Sequence, residues 1–131
     1  LIAPFSKQTF WNSSGNVLLF IGTLGAWIAV YTGNLADGIV SRKICDPTVL
    51  ESHEQAAYVV AWLFTVATAG VLASYFQLRK KLHKLLQVMI LVTMLACSGF
   101  LAYTGHLGAT LVYQQAAGVY QPTEDCIEFT E

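Results

Sequence analysis

Three long stretches of this chain carry no charged side chain: residues 8–36, residues 55–78 and residues 85–123. Each is long enough to hold about 20 consecutive apolar residues, the length a helix needs to cross roughly 30 Å of hydrocarbon. Only 11% of the 131 residues are charged and 55% are hydrophobic, whereas an ordinary soluble domain carries roughly 25% charge. So few charges cannot solvate a globule of this size. The pattern excludes a soluble enzyme, a disordered tail, and a nucleic-acid binder, which needs a basic face. It points to an all-α integral membrane protein of one domain. Net charge is −1, so global charge names no partner.

The hydrophobic runs place spans at about 16–33, 55–77 and 85–105. An apolar extension follows at 107–119, too short for a fourth crossing, which either prolongs the third helix or lies in the interface. An acidic tail closes the chain at 120–131. The runs lack the apolar–polar alternation of barrel strands. Three visible helices suggest part of a four-helix bundle. The chain begins at Leu1 without Met, and the expectation is a piece of a longer chain. Pro4 and Pro47 read as loop or interface punctuation.

Lysine and arginine in short loops set orientation. The link Arg79-Lys80-Lys81-Leu82-His83-Lys84 holds four positive charges and no acid, which places it in the cytoplasm. Residues 34–54 hold two bases and four acids, and the tail holds four acids. Both therefore belong on the outer side. Trp11, Tyr31, Tyr75, Tyr103 and Tyr113 fall near span boundaries, where aromatic rings anchor helices.

Cys45 in the outer loop and Cys126 in the tail then share an oxidising compartment, where a disulfide can form and persist. Two free thiols, or ligands for a soft metal, are the alternatives. Cys97, inside the third span, reads as a small packing residue.

His53 and His106 stand equally far, in residue count, from the middle of the basic turn. Equal counts at 1.5 Å rise put both imidazoles at one depth of an antiparallel hairpin. Whether they face each other does not follow from counting. Small residues share their faces: Ala57 and Ala61 below His53, Ala102 and Ser98 below His106. Gly105 and Gly108 flank His106 and permit close backbone approach. A flat macrocycle held by two axial histidines needs such grooves, so His53 and His106 are the candidate ligands of one b-type haem. Small-xxx-small spacing also packs membrane helices with no cofactor, as at Gly22/Ala26 on the first helix. His83, in the basic turn, reads as a solvated residue. Glu54 is a candidate partner of His53. Alternatively, Ser52, Glu54 and Gln55 form the capped start of the second helix. No phosphate loop, CxxC or covalent-haem motif is present, and no charge lies within the spans to form an ion pathway.

The segment Thr104-Gly105-His106-Leu107-Gly108-Ala109-Thr110-Leu111-Val112-Tyr113, with Ala117-Gly118-Val119, resembles the closing signature of the domain-of-unknown-function 2231 family, a GHxGGxLVY…GVGV pattern. Ala109 and Ala117 replace glycines of that pattern. Thr32-Gly33, ending one helix, and His53, opening the next, also resemble it. The likeness covers most of residues 15–120. It implies a small bacterial multi-pass membrane protein of four helices. The family's additional first helix begins with an HPxxVHFP-like stretch that this sequence lacks. The family brings no settled activity, but its layout resembles small cytochrome b-type membrane proteins. The functional expectation is a non-catalytic subunit of a membrane electron-transfer complex, whose partners are other membrane subunits and lipid, with no nucleic acid and no soluble substrate. The rivals are a cofactor-free structural or assembly subunit, and a metal-handling protein using His53, Glu54, His106 and the cysteines.

Overall fold

A computed structural model describes residues 9–76 and 80–119. It has three helices, α1 (Thr9–Val40), α2 (Pro47–Tyr75) and α3 (Lys80–Tyr113), and no strand among the described residues. All three are long and apolar enough to cross a membrane. In hydrocarbon a helix satisfies its backbone hydrogen bonds internally, which is why uncharged runs of this length become helices.

Each helix outruns the span its hydropathy marks. α1 continues through Asn34 and Asp37 to Val40, which shortens the expected 34–54 loop to residues 41–46. At 1.5 Å per residue α1 is about 48 Å long, so its ends project beyond the hydrocarbon or the helix tilts. α3 runs unbroken past Gly105 and Gly108, so the apolar extension prolongs the third helix as far as Tyr113.

The start of α2 corrects a sequence expectation. Asp46 is the N-cap, Pro47 occupies the first turn, and the Asp46 side chain accepts from Thr48 N at 2.9 Å and Thr48 Oγ1 at 2.6 Å. Proline suits this position because its missing N–H would lack a helical partner anyway. Ser52 and Gln55 therefore sit within the helix, where Gln55 Nε2 donates to Glu51 Oε1 at 3.2 Å.

α2 is the middle of an open layer. It packs against α1 on one side and α3 on the other, while α1 and α3 hardly meet. The α1–α2 seam is a polar ladder. Asn16 Nδ2 donates to Tyr75 Oη (2.9 Å), Trp27 Nε1 donates to Thr65 Oγ1 (2.9 Å), and Asn34 bonds Tyr58 Oη (2.7 Å). Thr23 Oγ1 donates to Leu19 O (2.8 Å), so Thr68 Oγ1, at 2.7 Å, is left to donate to Thr23. In every pair the two residue numbers add to 91 or 92, as one fixed antiparallel register requires. Hydrogen bonds between membrane helices average about 0.6 kcal/mol each, so the ladder sets register as much as stability. The Trp27 and Trp62 rings meet edge to face, with centroids 5.4 Å apart.

The α2–α3 seam is built from small and apolar residues. Cys97, Thr104 and Leu111, seven apart along α3, are buried, and Ile90 continues the series. A seven-residue repeat keeps one stripe of a helix against its neighbour in left-handed, shallow-angle packing. Ala61 and Ala67 of α2 are fully covered. At Gly70 an added Cβ would lie 2.9 Å from Ile90 Cγ1, so the two helices approach through the space a side chain would take.

Candidate functional site

His53 sits where α2 meets α3, near the 41–46 loop. Counting placed His53 and His106 at one depth, and His53 reaches α3 between Thr104 and Gly108, the turn that contains His106. His53 Nδ1 lies 3.0 Å from Thr104 O. A carbonyl oxygen can only accept, so Nδ1 carries a proton and donates it, and in the neutral ring Nε2 is the nitrogen with the lone pair. Thr104 turns its own hydroxyl back to Phe100 O at 2.8 Å. Its carbonyl and the bare Cα of Gly108 form the seat for the imidazole. A Cβ on residue 108 would lie 3.2 Å from His53 Cε1, so the ring and the α3 backbone meet closely at this glycine.

His106 does not join it. Two residues from both Thr104 and Gly108, it lies about 200° around the helix from each, and its side chain is exposed. The two rings share a level and occupy different sides of α3. The small residues divide in the same way. Ala57 lines a cavity toward α1 and Ala61 is fully covered, so the α2 side of the expected groove is filled by packing. Ser98, Ala102 and Gly105 lie exposed on α3 with His106. Within one chain the geometry thus offers no common slot for a haem between His53 and His106.

Among the described residues, no group of three or more His, Cys, Asp or Glu side chains is placed to hold a metal ion. Among the described residues Cys45 is exposed, Cys97 is buried, and the two are not bonded to each other. Cys126, the expected partner of Cys45, lies outside the described residues. His83 is half-buried.

Sequence reasoning missed the cavity itself, of about 70 Å³, between α1 and α2 beside the loop. Asp37 and Asn34 of α1 line it with His53 and Glu54 of α2, over a floor that includes Val30 and Leu50. The Asn34 amide bonds Tyr58 in either orientation. Turned so that its oxygen accepts from Tyr58 Oη, its nitrogen also donates to Val30 O (3.2 Å) and Glu54 Oε1 (3.3 Å). We adopt that orientation because it satisfies three neighbours rather than one. The available signal is the i, i+3 pair Asn34 and Asp37, which falls on one helix face beyond the end of the apolar run.

At the loop itself, the hydroxyl and amide of Thr48 hold the Asp46 carboxyl below its ordinary pKa. Asp46 N donates to Gln115 Oε1 at 3.2 Å, which ties the start of α2 to the turn that ends α3. In that turn Ala117 N donates to Leu111 O at 2.9 Å, and Ala116 adopts a left-handed φ of 52°.

No family model, curated protein or solved structure matches the chain.

Proposed function

We propose that this chain is a non-catalytic subunit of a membrane assembly, in which further transmembrane helices complete its three-helix layer. The uneven covering of the helices carries this reading. α2 is covered on two sides, whereas α3 leaves Ser98, Gly99, Ala102, Gly105 and His106 bare on one face. Small residues allow helix backbones to approach closely, and a histidine facing lipid is costly unless a neighbour pairs with it. The basic turn puts residues 79–84 in the cytoplasm and the loop and tail outside. The resemblance to a family of small bacterial membrane proteins agrees with a bacterial inner membrane.

Photo-crosslinking in native membranes tests this. A photoreactive residue at Ala102 should yield protein adducts, while one at Leu24, on the exposed apolar face of α1, yields lipid adducts. Lipid adducts alone at both positions overturn the reading.

One observation favours a second reading, electron transfer through a b-type haem. The Nδ1–H of His53 is engaged by a backbone carbonyl, the arrangement that orients an imidazole for ligation through Nε2. His106 on its separate face then ligates against a partner rather than against His53. A reduced-minus-oxidised spectrum of the purified assembly should show b-type bands that His53→Ala or His106→Ala abolishes. A colourless assembly free of iron removes this reading and leaves the first intact. The metal-handling rival gains nothing from this geometry, since its donors among the described residues do not converge.

A further inference from the structure

We propose that α3 carries a binding site for one anionic phospholipid, with the headgroup phosphate at Lys80, Lys81 and Lys84 and an acyl tail along the free face of the helix. The site does not depend on the subunit reading above.

The charge distribution favours an anion at this end of the helix. All eight acidic residues fall at 37–54 or 124–131, so the sequence holds none between 55 and 123. Lys80 and Lys81 open α3, and its first turn has no acid. Lys84 follows them at i+4 and i+3, the spacings that make residues neighbours on a helix, so three like charges repel one another. The helix dipole adds a partial positive charge at the same end. A phosphate group relieves all of these repulsions, and the membrane surface presents phosphates where a spanning helix emerges.

The rest of the face selects a lipid over a free anion. Lys81 lies nine residues from Ile90, about two and a half turns. It therefore heads the side of α3 opposite Ile90, which packs toward Gly70 of α2. Down that side come Leu85, Val88, Val92 and Leu95, each at least half exposed. This apolar column runs into a shallow groove lined by Leu95, Ala96, Gly99, Phe100 and Tyr103. Leu95 stands about 16 Å along α3 from Lys84, about one leaflet's share of a core roughly 30 Å thick. A tail whose phosphate sits at the lysines thus ends in the groove, whereas a soluble phosphate gains nothing from the column. Ser98, Ala102 and Gly105 lie outside the groove and stay open to a partner helix.

Native mass spectrometry of the purified chain in detergent tests the proposal, with phosphatidylglycerol or phosphatidylcholine of identical tails titrated in. One phosphatidylglycerol should be retained in preference to phosphatidylcholine. Each lysine replaced by glutamine should weaken its retention about fivefold, and Lys80→Gln with Lys81→Gln and Lys84→Gln should abolish the preference. Gly99→Leu, which fills the groove, should weaken retention too. Arg42→Gln with Lys43→Gln, at exposed bases of the opposite end, should leave it unchanged. Glycerol phosphate, which carries the anion without tails, should not displace the lipid. Equal retention of the two lipids, a preference that survives the triple lysine variant, or displacement by glycerol phosphate overturns the proposal. The lysine variants remove repulsion from the start of α3 and so keep the fold, which circular dichroism verifies. Should Gly99→Leu unfold, the lysine variants and the glycerol phosphate competition decide the question.

Discussion

At the scale of single residues, the contact of His53 with Thr104 and Gly108 joins α2 to α3 and determines what His53 can do. Gly108→Ala pushes a methyl group against Cε1, and overpacking of this kind costs about 1–3 kcal/mol. Its thermal midpoint should fall, while Gly105→Ala, with nothing within 4 Å of the added carbon, should hold or gain. Equal behaviour of the two variants would remove the seat from the account. Ala116 offers the opposite test. A left-handed backbone costs an alanine about 1–2 kcal/mol that glycine does not pay, so Ala116→Gly should raise the midpoint. Asp46 adds a pH dependence. Its pKa is lowered in the folded chain by the Thr48 hydroxyl and amide, so its contribution is present above the ordinary carboxylate range and lost as pH falls through the folded value. Below about pH 4 the midpoint of the unaltered chain should drop more than that of Asp46→Asn, which retains an acceptor and does not titrate. Parallel acid profiles would contradict this.

At the scale of helices, the two seams work differently, and mutations separate them. The Thr23–Thr68 pair lies in the α1–α2 ladder, so a double-mutant cycle with valine at both positions should return a coupling of about 0.6 kcal/mol. A coupling of zero would mean that the ladder is incidental to packing. Gly70→Ala should loosen α2 from α3, because Ile90 Cγ1 stands where the methyl group must go. The helices and their order were legible in the uncharged stretches, because hydrocarbon leaves a chain few other folds. The depth of His53 was legible too, since helical rise is uniform and a tight turn fixes where counting starts. The direction of each side chain around its helix was not, because it depends on which face meets a neighbour. His106 shows this: the small residues around it fit a cofactor groove or a docking face equally well. The cap at Asp46 was overlooked because hydropathy marks where a helix enters lipid rather than where it begins.

At the scale of the molecule, α2 is covered on two sides and each of its neighbours on one, so the layer has open sides on α1 and α3. On α1 the exposed residues include Leu18, Ile21, Leu24 and Ile28, a surface suited to lipid. On α3 they include small residues around a histidine, a surface suited to another helix. Asp46 N and Gln115 Oε1 hold the end of α3 beside the loop that carries Cys45. The disulfide expected between Cys45 and Cys126 from their compartment would protect both cysteines from labelling until reductant is added. Labelling of both without reductant would rule it out. Whether another protein covers the bare face of α3 is measured most directly by native mass spectrometry of the chain released gently from its own membrane. The account predicts a stoichiometric assembly that Ala102→Leu with Ala109→Leu breaks apart; a lone chain carrying only lipid, with or without those substitutions, would contradict it.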